Sequence, residues 1–379
     1  MLILVICCLL TLGYAALMVA YRIGWARQKE FMMPVDFTPG TFISVIIPAR
    51  NEAANIGACV DAILAQKYPK DLFEVIVVND HSEDDTAAIV NSYGVANVRC
   101  INLADHLLPG EAVNAYKKAA ISVGVKHSKG SLIVTTDADC MAPNAWLLHI
   151  AAIYQAQRPV MVIAPVTYKT DHSLLHTFQL TDFMSMQGVT AAAHNLHLGN
   201  MCNGANLAFR RSAFEAVNGY EGVNHLASGD DYLLMMKLRK LSPHGIAYLK
   251  SAPAIVSTTP QPSLGAFLQQ RIRWSSKSGK YNDARLTAIL LLVYLFNLSF
   301  LVLLIAAFVN PVFGYILAVM FIVKVLAEYF FLAPVSRFFR EQWVLTYFPL
   351  LQPFHILYII PAGFMGLLGG YKWKGRSVR

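Results

Sequence analysis

Apolar runs long enough to cross a bilayer stand near both ends of this chain, with a stretch of ordinary polar character between them. Residues 1–21 hold no charge and are mostly Leu, Val, Ile, Ala and Cys. About 20 such residues make a helix that crosses a hydrocarbon core of roughly 30 Å. A cleaved signal peptide would need a charged start and a shorter apolar stretch. Here the basic residues Arg22, Arg27 and Lys29 follow the run. The positive-inside rule then places the N-terminus outside and the body that follows in the cytoplasm, at a plasma or inner membrane. We read 1–25 as an uncleaved anchor.

The C-terminal region, 283–379, is apolar again. Residues 286–309 read as one span, Asn310-Pro311 as its turn, and 312–334 as a second span. The second carries Lys324 and Glu328 at i, i+4, a spacing that pairs them on a bundle-facing side. A basic loop at 336–340 fits the cytoplasm. The third stretch, 345–371, contains Pro349, Pro353 and Pro361. A simple crossing count puts Lys372, Lys374, Arg376 and Arg379 outside, whereas the positive-inside rule wants them inside. The expectation is therefore a re-entrant segment or two half-length helices.

Composition agrees with a membrane protein. Of 379 residues, 56% are hydrophobic and 14% charged, against about 45–50% and about a quarter in soluble domains. Mean hydropathy is +0.46. The net charge is +8, from 31 Lys+Arg and 23 Asp+Glu. No Lys/Arg-rich run of nucleic-acid type occurs, so the excess points to lipid head groups or a phosphorylated substrate rather than to nucleic acid. The six cysteines form no CxxC or Cys/His metal spacing, which fits a reduced, cytosol-facing body.

Residues 41–282 form that body. Short β-branched runs at 44–47, 74–78, 97–102, 132–136 and 160–164 alternate with helical patterns at 53–66 and 86–93. Near-continuous apolar strands separated by helices mean an α/β fold whose mostly parallel sheet is covered on both faces. Ligands of such sheets bind beyond the carboxyl ends of the strands. Those ends carry Pro48-Ala49-Arg50-Asn51-Glu52, Asn79-Asp80-His81-Ser82 and Asp137-Ala138-Asp139, so carboxylates converge on one edge. Neither GxGxxG nor a Walker phosphate loop is present, which argues against a dinucleotide or ATP.

Asp137 and Asp139, one residue apart at a strand end, can share a hard divalent cation, with phosphate oxygens completing its shell; a solvated turn is the plainer reading. Asp80 either caps the helix that opens near Asp84 or accepts from the N3–H of a uracil. Asp230-Asp231 starts a helical pattern at 232–241, where acids serve the helix dipole. Alternatively, Asp231 takes a proton from an acceptor hydroxyl. Gln270-x-x-Arg273-Trp274 lies on an amphipathic stretch, 264–280. Arg273 suits a pyrophosphate, Trp274 offers a face for a sugar ring, and the same residues suit an interfacial helix. Lys117-Lys118 opens a helical pattern and meets either phosphate or solvent. Asn203-Gly204-Ala205-Asn206 lets backbone approach a ligand. His194 and His197 lack a third metal ligand nearby and read as surface.

Taken together, these residues resemble the family 2 glycosyltransferases of the membrane-integrated D, D, D, Q-x-x-R-W type, which include cellulose, chitin and hyaluronan synthases and ceramide glucosyltransferases. The pattern here is Asp80, Asp137-Ala138-Asp139, Asp231 and Gln270-x-x-Arg273-Trp274, and residues 45–52 look like the family's first strand and nucleotide loop. The resemblance implies a GT-A fold, a UDP-sugar donor and Mg2+ or Mn2+ on Asp139 with Asp137 close by. It implies that Asp80 touches the uracil and that Pro48, Arg50, Glu52, Lys118, Asp137, Gln270 and Arg273 join the donor site. Asp231 would be the base, with Asp230, Trp274 and Asn206 on the acceptor side, in one inverting displacement. Where the family often has Glu-Asp, this chain has Asp230-Asp231. The family's Gly-Lys-x-x-Ala-Leu-Asn segment is only loosely echoed by residues 117–120.

For the acceptor, a membrane lipid hydroxyl is the favoured reading. One N-terminal span and two or three C-terminal ones are few for a polymer channel made by one chain. The long stretch 174–197 suits a membrane surface that guides an amphiphile. A processive polysaccharide synthase and a non-catalytic nucleotide-sugar scaffold are the alternatives.

Overall fold

The computed structural model describes residues 2–107, 114–199, 201–226, 228–276, 283–368, 371–373 and 376–378. The boundary drawn near 282, the end of the stretch 264–280, and Lys374 and Arg379 lie outside the described residues. The chain divides into two compact units. One is Lys29–Lys169 with Met201–Thr259; the other is Met1–Gln28, Thr170–Asn200 and Pro260–Arg379.

The first unit carries strands β1 (Ile43–Ala49), β2 (Phe73–Asn79), β3 (Val98–Asn102), β4 (Leu132–Thr135), β5 (Met161–Ile163), β6 (Val166–Tyr168), β7 (Leu207–Arg210), β8 (Ile246–Tyr248) and β9 (Val256–Thr258). Seven form one sheet in the order β3-β2-β1-β4-β7-β5-β8, and β6 pairs with β9 in parallel. The central strands are apolar on both faces: Val45, Ile46, Ile47, Val75, Ile76, Val77, Ile133 and Val134 are fully buried. This is the signature of a sheet covered on both sides. Only β7 runs against its neighbours β4 and β5. The sequence reading did not resolve β7, a four-residue strand without a long apolar run. The reversal matters for function. In parallel strands the carboxyl ends share an edge, and in the antiparallel β7 it is the start that lies there. Ala49 pairs with Asn79, Ile46 with Thr135, and Thr135 with Leu207. The edge therefore gathers residues 50–52, 80–82, 136–139 and 203–206.

The first helix, α1 (Leu2–Arg27), belongs to the second unit. Between the strands of the first run α2 (Ile56–Leu64), α3 (Thr86–Asn91), α4 (Tyr116–Lys126) and α5 (Trp146–Gln157). The second unit then takes α6 (Leu174–Leu196), and the first takes α7 (Arg211–Ala216) and α8 (Asp230–Leu241).

The second unit continues with α9 (Leu264–Ser275), α10 (Ala284–Ala307), α11 (Val312–Phe339) and α12 (Val344–Leu368), then a small antiparallel pair, β10 (Tyr371–Trp373) and β11 (Arg376–Val378). Among the described residues four helices, α1, α10, α11 and α12, are long and apolar enough to cross a membrane. Leu9, Leu12, Ile305, Leu326 and Leu350 point outward, as lipid-facing residues do. Inside the unit α1 packs along α6, α10 and α11. Tyr14 stacks on Phe296 at 4.2 Å, and Trp25 meets Phe338 edge-on at 5.4 Å. Small residues allow this closeness. A Cβ on Gly188 of α6 would sit 2.7 Å from Cγ2 of Val335.

Two membrane expectations are corrected. The third C-terminal stretch is one helix, α12, and Pro349, Pro353 and Pro361 lie inside it. Each proline removes a helix hydrogen bond, but packing on α9, α10 and α11 holds the rod together. The basic loop at 336–340 is the last turn of α11, which runs past Pro334 to Phe339 and closes on Arg340 in the left-handed region.

The expected i, i+4 pair is present in α11. Lys324 is fully buried, and its ammonium donates to Glu328 and lies 3.3 Å from Nδ1 of His355. Tyr14 Oη also donates to Glu328, and Nε2 of Gln352 does so at 2.8 Å. Removing one charge strands the other. We expect Lys324→Met to lower the unfolding free energy of the detergent-purified protein by roughly 3–5 kcal/mol, and Lys324→Met/Glu328→Gln to recover most of it. Equal losses in the single and double variants would show that the charges are not coupled.

Candidate active site

The edge of the sheet is shaped by two tight turns. Asn51 after β1 and His81 after β2 are both left-handed, with φ of 51° and 53°. The turns are laced together: Asn51 N–H donates to Oγ of Ser82 at 3.0 Å, and Glu83 N–H donates to Oδ1 of Asn51 at 2.9 Å. Arg50 adds Nη1 bonds to the carbonyls of Asp80 and His81, at 3.1 and 3.0 Å. Pro48, next to last in β1, pairs with Val78. Asp80 is buried, and its Oδ1 lies 2.9 Å from Nδ1 of His81. It is not the cap of α3. Asp84 accepts from Thr86 and from Ala53 N–H instead. Tyr116 stands edge-on to His81 at 5.6 Å. His81 lies in the strand end singled out in the sequence, whereas Tyr116 carried no signal there.

Asp137, Asp139 and Cys140 follow β4 with ligand atoms within 4.8 Å of one another. Burial pushes the Asp139 carboxyl up to about 6, and the neighbouring Asp137 and Glu52 add to the shift. Acids crowded this way suit a hard divalent cation bound through oxygen. Burial pushes the Cys140 thiol well above its ordinary value, so it stands as a neutral neighbour 3.7 Å from Oδ1 of Asp139. Glu52 accepts from Asn55 at 2.8 Å.

Across from these acids, α8 begins at Asp230 after Gly229, which takes a φ of 82°. Oδ2 of Asp231 accepts from Gly204 N–H at 3.3 Å, and Oδ1 accepts from Tyr232 N–H at 2.7 Å. Lys117 of α4 joins the two groups. Its ammonium is 2.7 Å from Oδ1 of Asp137 and 3.4 Å from Oδ2 of Asp230. Burial opposes this charge, but Asp137, Asp230 and Asp231 outweigh it and raise the ammonium above the usual lysine range.

Two residues expected on the donor or acceptor side, Lys118 and Asn206, make internal contacts in the structure. Lys118 is buried and faces away from the acids. Its ammonium donates to the carbonyls of Val223, Leu226 and Ser228, at 3.1 Å for the first and last. Successive helical residues are about 100° apart, so only one of the two lysines can face the acids. Asn206 is fully buried and ties three segments together. It donates to the carbonyls of Pro165 and Ala254 at 2.8 Å and accepts from Trp146 Nε1 at 2.8 Å. In the Asn203-Gly204-Ala205-Asn206 segment it is Gly204 that reaches the acids. A cavity of about 600 Å³ also borders α4, beside Lys118, Ser122 and Tyr220, but no acid of the edge lines it.

Residues 132–364 match the family described as "Glycosyl transferase family group 2", and 44–217 match "Glycosyl transferase family 2". The chain belongs to the family 2 glycosyltransferases. Glycosyltransferase AglE of Haloferax volcanii is 30% identical over 190 residues, which are 50% of this chain and 59% of that protein. Dolichyl-phosphate beta-glucosyltransferase ALG5C of Trichomonas vaginalis is 32% identical over 121 residues, which are 30% of this chain and 34% of that protein. The match thus spans less than two thirds of the length of each of these relatives. The mannosyltransferase PcManGT from Pyrobaculum calidifontis, solved with GDP-Man and Mn2+, superposes over 96% of this chain and 99% of its own with a TM-score of 0.59 at 19% identity. The fold of this glycosyltransferase is GT-A, as the sequence resemblance implied.

The family's Q-x-x-R-W motif lies in the second unit, on α9. Arg273 and Trp274 are half-buried, and the Trp274 ring lies 6.0 Å from that of Phe183. Oε1 of Gln270 accepts from Arg271 at 2.8 Å.

Two outcomes are expected at the acidic edge. A Cβ on Gly204 would sit 3.1 Å from Oδ2 of Asp230 and 3.4 Å from the Lys117 ammonium. Gly204→Ala should therefore keep the fold and lower kcat roughly 10- to 100-fold; unchanged steady-state turnover would show that the segment is not critical. Because Asp139 holds its proton up to about 6, a divalent cation such as Mn2+, if it binds through Asp139, has to displace that proton in acid. Calorimetry should find affinity rising about tenfold per pH unit below that point and levelling above it. A flat profile would remove Asp139 from the ligand set.

Proposed function

We propose that this glycosyltransferase moves a sugar from a UDP-sugar to a hydroxyl of a membrane lipid, with inversion, on the cytoplasmic face. The observation that carries the reading is the pairing, in one chain, of an acidic sheet edge with four helices of membrane-spanning length. A relative named for dolichyl phosphate supports a lipid acceptor. The run of Arg22, Arg27 and Lys29 after the first apolar segment supports the cytoplasmic side.

Asp137 and Asp139 are the residues that would hold a divalent cation of Mg2+ or Mn2+ type, which when bound neutralises charge on the leaving diphosphate. Asp80 would accept from the uracil, with Pro48, Arg50 and Glu52 at the same end of β1. Lys117, rather than Lys118, is the lysine suited to phosphate. Asp231 is the candidate base: it would take the proton of the acceptor hydroxyl as the oxygen attacks the anomeric carbon. Gly204 N–H orients that carboxylate, and Asp230 stands beside it. Roles for Gln270 and Arg273 at the diphosphate and for Trp274 at the acceptor rest on the motif alone. The domain division we propose is an anchor at 1–25, the GT-A body, and a C-terminal membrane region.

The test is a partition assay. Detergent-purified protein, Mn2+ and labelled UDP-glucose, UDP-GlcNAc or UDP-galactose are incubated with host lipid extract. Label should enter the organic phase. Label in alcohol-insoluble material, independent of lipid, would mean a polymer synthase instead. Asp231→Asn separates acceptor classes, because a lipid phosphate is already an anion and needs no base. With a hydroxyl acceptor the variant should lose at least about a hundredfold in kcat. Retained transfer would assign the acceptor oxygen to a phosphate.

A further inference from the structure

Arg271 lies within the Q-x-x-R-W motif at one of its unspecified positions. It is buried. Its Nε and Nη2 both donate to Oδ2 of Asp182, at 3.0 and 2.7 Å, and its Nη1 donates to Oε1 of Gln270 at 2.8 Å. The guanidinium carbon is 4.2 Å from the centre of the Trp274 ring and 4.5 Å from that of Phe267. One cation thus touches two named motif residues, the amide of Gln270 and the indole of Trp274. Its counter-charge is also fixed. Asp182 sits on α6, and its Oδ1 accepts from Tyr358 Oη at 2.5 Å and lies 3.8 Å from Nε2 of His355, both on α12. A lone acid in a long, largely apolar helix is costly to bury without a partner. Here it anchors α9 to two other helices through one carboxylate.

We propose that Asp182 and Arg271 are positioning residues: their ion pair sets the Gln270 amide and the plane of the Trp274 indole, and through them the rate of transfer. This rests on the reading that Gln270 and Trp274 serve donor and acceptor. The planar fork is essential to the geometry. It holds Asp182 through two nitrogens, reaches Gln270 with a third, and still presents a flat face to Trp274. The ammonium of a lysine keeps the charge and loses all three relations. A pair that only fastened helices together would change how much protein folds, not the turnover of each folded molecule.

The test uses the full chain in lipid nanodiscs, with Arg271→Lys, Asp182→Asn and Tyr358→Phe. Each is also made together with Trp274→Phe, so that the Trp274 emission is read as a difference. For folded Arg271→Lys and Asp182→Asn we expect kcat to fall at least about 30-fold while Kd for UDP stays within about twofold. Acrylamide quenching of Trp274 should rise about twofold as its cation cover is lost. Tyr358→Phe, which removes one hydrogen bond from the same carboxylate, should shift both readouts several-fold less in the same direction, and it serves if Asp182→Asn does not fold. Folded variants with unchanged turnover and unchanged quenching would overturn the proposal. A wild-type protein that transfers no sugar would instead refute the proposed function, and the quenching contrast would still decide whether the pair sets Trp274.

Discussion

Carboxylates crowded at the edge of a sheet repel one another, and a lysine placed between two of the acidic segments offsets that repulsion. Asp80, Asp137, Asp139, Asp230 and Asp231 arrive there on separate segments, and Lys117 bridges Asp137 to Asp230. Helix α4 has a second effect. Lys118, one residue on, points the other way and gathers the carbonyls of Val223, Leu226 and Ser228, the segment that leads into Gly229 and α8. The same helix therefore sets both the charge between the acids and the path of the chain that delivers two of them. Gly204 completes the arrangement: its N–H reaches Asp231, and a Cβ there would crowd Oδ2 of Asp230 at 3.1 Å.

The membrane-type unit meets the opposite problem. Charges there are few and must be matched where they are buried. Lys324 and Glu328 are joined by Tyr14, Gln352 and His355; Arg271 and Asp182 are joined by Tyr358, with His355 close by. His355 lies near both sets, so the polar groups form one chain of contacts through α9, α6, α12, α11 and α1. Pairs of this kind add little net stability over well-packed apolar residues.

Much of this was legible in the sequence, for identifiable reasons. Runs such as Val45-Ile46-Ile47 can only be buried on both faces, and parallel order then brings the acids to one edge without any knowledge of side-chain detail. What failed was discrimination between neighbours. Lys117 and Lys118 are equivalent on paper, and only the rotation of α4 separates them. Asn206 is as polar as Gly204 is plain, yet the asparagine is an internal tie and the glycine meets the acids. The three prolines of α12 are local break signals overridden by packing. β7, Leu-Ala-Phe-Arg, lacks the β-branched run that marked the other strands. Arg271 was hidden because the unspecified positions of a motif read as spacers. The clue was Asp182, a buried acid in the middle of a largely apolar helix.

The charge at α8 bears on which oxygen the proposed reaction can accept. Asp230 and Asp231 place two carboxylates at the start of α8, and of the two only Asp230 lies within ion-pair distance of Lys117. An acceptor phosphate would bring further negative charge to this point and would be repelled. A neutral hydroxyl brings none. It carries a proton that has to leave as its oxygen attacks, and Asp231, oriented by Gly204 N–H, is a group able to take it. In the proposed reaction the two ends of the edge, Asp137 engaged by Lys117 at 2.7 Å and Asp231 engaged by backbone amides among its contacts, would have different tasks. One would neutralise a leaving group, and the other would remove a proton. That division is what a hydroxyl acceptor requires, and a phosphate acceptor would leave half of it without use.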